Sequence, residues 1–369
     1  MNIGAAREIN VKCRAMYARL LDRGEYDLLV SMKSVSQIAD YLIKQTPYSY
    51  VFHDIDTNDV HRGQLEQNFR KSLFYDYESL IKFSSGGNKE VLRAMYESYE
   101  IDDIKQVISS ICSDNEHRLT PEDLGYARSR GKIRADSLLG AETMEALVEK
   151  LSGTRYYKAL SPFATRDNPD FLRIDHALNL LDYKSKMSVF EKSLRGSGRK
   201  IIINAHCVKS DIENILFIYR IKKLYNYPSR EIENYLIPCD YGIGRKELLE
   251  MAQCERLEDI AEKIANTRYG NLFPVGRENE WEALHAEFFY STHKKNIRRD
   301  GDSIAVALSY LYLKEIDIKN IVMIIEGVRY SLPPERIASF IIGYTIPAGR
   351  SGTGTAAPRT RIRNLRATA

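Results

Sequence analysis

A few short stretches bring together residues that could do chemistry. Gly125 to Gly131 followed by Lys132 has the outline of a phosphate-cradling loop, in which backbone amides and a lysine hold a nucleotide's phosphates. Five residues separate those glycines where four are required, and Ile133 stands where Ser or Thr would hold magnesium. Asp54-Ile55-Asp56-Thr57-Asn58 opens like a calcium loop, yet Asp59 takes the place of the turn glycine and Leu65 that of the bidentate glutamate. Gly242-Ile243-Gly244 follows no apolar strand and lacks a third glycine, so it is not a dinucleotide fingerprint. His285 and His293, with Glu287 between them, lie two turns apart on a helix, which is too far for one metal. No Gly-x-Ser-x-Gly elbow occurs. The five cysteines, Cys13, Cys112, Cys207, Cys239 and Cys254, form no Cys-x-x-Cys pair and are odd in number, which reads as buried free thiols rather than a disulfide framework or a zinc site.

No catalytic residue, cofactor-binding residue or metal ligand is assigned on these grounds. The chain reads as a scaffold or adaptor rather than an enzyme.

Composition points the same way. Of 369 residues, 44% are apolar and 28% charged, the balance of a folded globular protein. No run reaches the roughly 20 apolar residues that span a bilayer. Met1 to Arg23 mixes charged and small apolar residues, unlike the apolar core of a signal peptide, so a chain made and kept in the cytoplasm is expected. The net charge of +4 comes from the C-terminal end: Arg350, Arg359, Arg361, Arg363 and Arg366 lie beyond Gly343 with no acid among them. The remainder is close to neutral, which makes it a poor electrostatic partner for nucleic acid. Residues 343–369 read as a flexible Arg-rich tail.

The elements that would position any functional group are helical. Apolar residues at spacings of three and four predict a helix from Asn2 to Leu29, one from about Ser36 to Pro47, and a long one from Leu65 to Phe83 broken by Ser84-Ser85-Gly86-Gly87-Asn88. Thr120-Pro121-Glu122 reads as a helix start, Ala141 to Leu151 and Phe171 to Leu194 as helices, and Arg195-Gly196-Ser197-Gly198 as a loop. Ile201-Ile202-Ile203 would suit a strand alone. The corresponding run Ser303 to Leu313 has helical spacing, so a helix is expected at both places. Leu332-Pro333-Pro334 is a turn feeding a last short helix.

Three landmarks recur in one order. Asp103-Ile104-Lys105-Gln106-Val107, Asp211-Ile212-Glu213-Asn214-Ile215 and Asp317-Ile318-Lys319-Asn320-Ile321 start 108 and 106 residues apart. Before them come Thr46-Pro47-Tyr48, Thr154-Arg155-Tyr156 and Thr267-Arg268-Tyr269, and before those Leu28-Leu29, Leu138-Leu139 and Leu248-Leu249. The chain is therefore read as a triplication, with units at 1–113, 114–226 and 227–342. Each Asp precedes an apolar stripe and is expected to be the N-cap of an amphipathic helix, with no catalytic part. The fold class expected is all-α, three similar helical domains closing into a pseudo-threefold body with a central hollow. Tyrosines are plentiful, 24 in all, and read mainly as domain packing with some suited to interfaces.

This triplication resembles the C subunit (called d in eukaryotes) of V-type and archaeal-type rotary ATPases. The similarity covers about residues 5–342. It is clearest over Tyr312 to Ile321, over Gly327-Val328-Arg329-Tyr330-Ser331-Leu332-Pro333-Pro334-Glu335-Arg336-Ile337, and over Ile260 to Tyr269. The resemblance implies a funnel-like helical rotor subunit, one copy per complex and without catalytic residues. It would sit on the cytoplasmic face of the membrane proteolipid ring and receive the foot of the central stalk, formed by subunits of the D and F type. Torque would pass through it between ATP hydrolysis or synthesis and H+ or Na+ movement. Its contact with the membrane would be through the complex. Two other readings stand beside it: a helical scaffold for soluble proteins, and a nucleic-acid binder acting through the basic tail.

Overall fold

The protein is described from a computed structural model, over residues 3–51, 62–112, 119–121, 123–126, 133–165, 171–225, 227–239, 241–298 and 304–344. Among these residues the regular elements are α-helices and short 3-10 turns, with no strand, so the all-α class is borne out. The calcium-like stretch Asp54 to Asn58, the Gly131-Lys132 pair and the Arg-rich end beyond Tyr344 lie outside the described residues.

The chain opens with α1 (Ile3–Tyr17) and α2 (Arg23–Ser31), not with one helix to Leu29. Asp22 causes the break. Its carboxylate accepts the Glu25 amide at 2.9 Å while its own amide donates to the Glu25 carboxylate at 2.8 Å, a reciprocal cap that starts a new helix. Next come α3 (Val35–Gln45), capped by Ser34, then α4 (Arg62–Phe83), α5 (Gly86–Tyr96) and α6 (Ser98–Cys112). Gly86 holds a positive φ of 55°, which lets the chain reverse between α4 and α5 at the predicted break.

The middle of the chain holds α7 (Ala135–Leu139), α8 (Met144–Lys150), α9 (Tyr157–Leu160), α10 (Phe171–Ser193) and α11 (Gly196–Tyr225). Ile201 to Ile203 are helical, as expected. The predicted loop at Arg195 to Gly198 shrinks to a kink, because α11 already begins at Gly196. Thr120 makes a turn rather than a helix start: its amide and hydroxyl both donate to Asp123 at 2.7 and 2.8 Å.

The last third contains α12 (Ser229–Glu233), α13 (Arg245–Gln253), α14 (Leu257–Ala265), α15 (Trp281–Arg298), α16 (Ala305–Arg329) and α17 (Pro334–Ala338). The apolar side chains gather in separate cores. One surrounds α6 and includes α7 and α8. A second surrounds α11 with α12, α13 and α14. The third joins the two ends of the chain: α16 packs against α1, α2, α3 and α4, and α17 against α2. α16 is buried on nearly every side, from Val306 to Val328, which is why its sequence is apolar almost all round.

Candidate functional site

The three landmarks identify the polar constellation of this fold. In each Thr-x-Tyr copy the threonine closes the preceding helix and turns the tyrosine inward. Thr46 Oγ1 donates to the Leu42 carbonyl at 2.6 Å, Thr154 to Leu151 at 2.7 Å and Thr267 to Ile264 at 2.7 Å. The amides of Tyr48, Tyr156 and Tyr269 each donate back to that threonine at 3.2 Å. The ring then enters the core and its hydroxyl meets a carboxylate. Tyr156 donates to Glu100 at 2.5 Å, Tyr269 to Asp211 at 2.6 Å and Tyr48 to Asp317 at 2.5 Å. Tyr26 gives Asp317 a second hydroxyl.

The landmark aspartates are therefore not N-caps. Asp103, Asp211 and Asp317 sit inside α6, α11 and α16, several residues beyond each start, and all three are buried. The three-and-four spacing that follows each Asp also precedes it, so the stripe does not mark a beginning. In the first copy the tyrosine meets Glu100, one turn before Asp103.

The asparagine of the landmark has a separate task. Asn214 donates to the Ile237 carbonyl at 2.9 Å and accepts its amide at 2.8 Å. Asn320 holds Ile342 in the same way, at 2.9 Å in both directions. Each pins the backbone that leaves a short helix preceded by proline, α12 after Pro228 and α17 after Pro333. Gly242 completes the second copy. Its amide donates to Asp211 at 2.8 Å, and a Cβ there would overlap the Tyr269 hydroxyl. The Gly-Ile-Gly stretch is thus a close approach of backbone to a buried carboxylate.

Burial dominates the protonation of these groups. It raises Asp211 from the ordinary carboxylate range to about 6, against the opposing pull of the Tyr269 hydroxyl and the Gly242 amide. Burial raises Asp317 as well, opposed by Tyr26 and Tyr48, and lowers Lys314, whose ammonium lies 3.7 Å from the centre of the Tyr48 ring.

A second set of charges lies where α6, α10, α11 and α16 approach one another. Tyr99 donates to Glu315 at 3.2 Å, Ser98 to Asp182 at 3.0 Å, and Lys186 to Asp182 at 2.6 Å. Lys319 pairs with Glu315 at 2.8 Å, Lys209 with Glu213 at 3.6 Å and Lys105 with Asp175 at 2.7 Å. Lys105, Glu213 and Lys319 occupy equivalent places, two residues after each landmark Asp. Lys209 and Lys319 keep 56% and 60% of their side chains open to solvent, so this is an accessible charged surface rather than a sealed core. Glu213 first, with Asp182, Glu315 and Asp102, raises the Lys209 ammonium above its ordinary value and keeps it charged.

The remaining candidates have structural surroundings. His285 packs 4.4 Å from Phe273, and His293 stacks at 4.2 Å on Tyr312 with Nδ1 3.0 Å from the Ser309 hydroxyl. Burial lowers both to about 4, which keeps them neutral. The cysteine reading needs correction. Cys207 on α11 and Cys239 after α12 form a disulfide, with Cα atoms 5.7 Å apart. The turn after α12 brings the second back against the first, a proximity that spacing along the chain does not reveal. Of the free thiols Cys13 is buried, Cys254 partly so and Cys112 exposed.

The ends of α11 and α16 leave large apolar groups in solvent: Leu224 and Tyr225 on one, Tyr330 and, just beyond, Leu332 on the other. No helix among the described residues is long and apolar enough to cross a membrane. No group of three or more His, Cys, Asp or Glu among them is placed to hold a metal ion.

Comparison with known proteins reaches across this whole arrangement. The C subunit of the A-type ATP synthase of Pyrococcus horikoshii is 24% identical over 339 residues, 90% of this chain and 89% of that one. The protein of the same name from Methanosphaera stadtmanae is 22% identical over 347 residues, covering 90% and 86%. That of Archaeoglobus fulgidus is 23% identical over 339 residues, covering 91% and 96%. Residues 9–340 match the family described as ATP synthase (C/AC39) subunit, a span that takes in all three landmark helices and the pairing of the two chain ends. The chain belongs to the ATP synthase (C/AC39) subunit family.

Proposed function

We propose that this chain is a non-catalytic rotor subunit of a rotary ATPase, a socket that joins the central stalk to the membrane proteolipid ring and passes torque between them. The observation that carries the reading is the near end-to-end match to relatives named as the C subunit of A-type ATP synthases. The structure is in keeping with it in two respects. The partly exposed charges shared by α6, α11 and α16 suit a polar contact that holds a partner and releases it. The uncovered apolar groups at the ends of α11 and α16 suit a further protein surface. Its partners are then stalk subunits of the D and F type and the proteolipids, and its place is the cytoplasmic face of the membrane, held there by the complex.

We also propose three similar units in a pseudo-threefold arrangement. The spans 1–113, 114–226 and 227–342 mark the repeat along the sequence. The tyrosine–carboxylate pairs mark how the spans are knitted together, the first Thr-x-Tyr being taken up by the last landmark helix.

The test is affinity isolation of the tagged chain from gently solubilised membranes, with mass spectrometry of the recovered proteins. Recovery of a proteolipid and central-stalk subunits in fixed ratio is expected. Recovery of soluble proteins alone, or of nucleic acid, would remove the rotor reading.

A further inference from the structure

One cavity lies where the two ends of the chain meet. It holds about 340 Å3 between the α1–α2 turn, the last turns of α15, and Ile342 to Tyr344. Its origin is topological. Around α11 both contacts come from nearby points in the sequence: Ile237, clamped by Asn214, and Gly242, whose amide reaches Asp211. Around α16 they come from separate segments. Ile342, clamped by Asn320, comes from the C-terminal side, and Leu21 and Asp22 come from the N-terminal side. The cavity lies where these two separate segments meet.

The lining divides by chemistry. Leu21, Tyr26, Leu313 and Asp317 form its buried part. Arg23, Lys294 and Arg298 line its more exposed part, together with the rings of Tyr17, Tyr290 and Tyr344. Among the described residues none of the three cations is paired with a carboxylate. Lys294 lies 5.3 Å from the centre of the Tyr290 ring, and the Arg23 guanidinium 5.4 Å from that of Tyr344. The nearby carboxylates are occupied by donors. Asp22 caps α2, Asp317 takes the hydroxyls of Tyr26 and Tyr48, Glu287 takes the Gly343 amide at 2.6 Å, and Asp27 takes the Tyr344 hydroxyl. Cationic donors with no anionic partner among the described residues, next to aromatic faces and an apolar wall, match an amphipathic anion. A phosphate dianion has enough acceptor oxygens for three cations, and a flat apolar body suits the rings. The volume falls at the lower end of the range of about 300–1,000 Å3 for small-molecule sites.

We propose that this cavity binds a small phosphorylated molecule with a flat ring, its phosphate on Arg23, Lys294 and Arg298 and its ring among Tyr17, Tyr290 and Tyr344. The proposal is independent of the rotor reading, since it concerns the isolated chain.

Titration calorimetry of the full-length protein with phenyl phosphate tests it, with inorganic phosphate and phenol as the half-ligands. Saturable binding of phenyl phosphate is expected, tighter than that of either half. The double variant Arg23→Gln, Lys294→Gln is expected to bind it at least about tenfold more weakly, with its thermal midpoint unchanged. Absence of saturable binding, or equal affinity in the folded double variant, would overturn the site. Inorganic phosphate binding as tightly as phenyl phosphate would overturn the ring as part of the ligand.

Discussion

Asp211 is fully buried with one carboxylate oxygen on Tyr269 and Gly242 and the other, Oδ1, without a hydrogen-bond partner among the described residues. Its folded pKa of about 6 lies above the ordinary value, so the native state binds the proton more tightly than the unfolded chain does. The stability linked to that proton is complete below about pH 4 and is lost as pH rises through 6. Asp211→Asn keeps an acceptor for Tyr269 and removes the charge. The expected outcome is a wild type that loses roughly 3 kcal/mol relative to the variant between pH 4 and pH 7. Urea unfolding of both proteins across that range measures it, and parallel pH profiles would refute it. The tyrosines that make these contacts were visible in the sequence as Thr-x-Tyr, but their partners were not. A hydroxyl and a carboxylate 58 residues apart become neighbours only when the helices pack. The Asp was therefore read by its local chemistry, as a cap, and the fold uses it as a buried acceptor.

Elements that carry their own periodicity were legible: α4 and α10 begin and end close to where their apolar stripes and breakers place them, whereas α16 runs through Asp317, where a helix start was expected. Boundaries made by a single side chain were harder, as at Asp22, where a capping box divides what reads as one helix. The short helices α12 and α17 are located from outside, by Asn214 and Asn320 respectively. Asn320→Ala strands the amide and carbonyl of Ile342 and is expected to cost about 2–3 kcal/mol. The loss should be accompanied by faster hydrogen exchange at Ile342 itself, which a general loosening of the fold would not single out. The α12 exit has a second restraint in Cys207–Cys239, across a sequence separation of 32 residues. Reduction with dithiothreitol is expected to lower stability by about 3–4 kcal/mol on the chain-entropy account. Thermal unfolding with and without reductant checks it, and the Cys207→Ser protein should not respond. That pairing was missed because each cysteine, taken alone, looks like a small buried apolar residue.

At the scale of the molecule the repeat is threaded out of step with the chain. Glu100 and Asp211 meet tyrosines that follow them in sequence, while Asp317 meets Tyr48, which precedes it by 269 residues. The all-α class could be read from sequence, because helical spacing is local to each segment, and so could the order of the landmarks. The out-of-step pairing could not, because it relates the first landmark to the last. One consequence is that the N-terminal segment is not an appendage. Removing residues 1–51 deletes both hydroxyls on Asp317 and the ring over Lys314, leaving opposite charges buried without their hydrogen-bond partners. The truncated chain is expected to lose cooperative unfolding and the near-ultraviolet signal of ordered aromatic rings. The segment added in trans should restore both in part.

The junction of the two ends also bears on how the protein is made. On the ribosome α2, α3 and Tyr48 emerge well before α16, which covers them. Until α16 is made, Leu29, Ile38 and Leu42, all fully buried in the finished fold, lack part of the core that surrounds them. The nascent chain therefore carries a sticky N-terminal surface that α16 later covers. A ribosome that stops early releases a product with that surface still open to chaperones and proteases. Synthesis of α16 and concealment of the N-terminal core are one event, so the fold checks that its last landmark helix is present before it can join anything else.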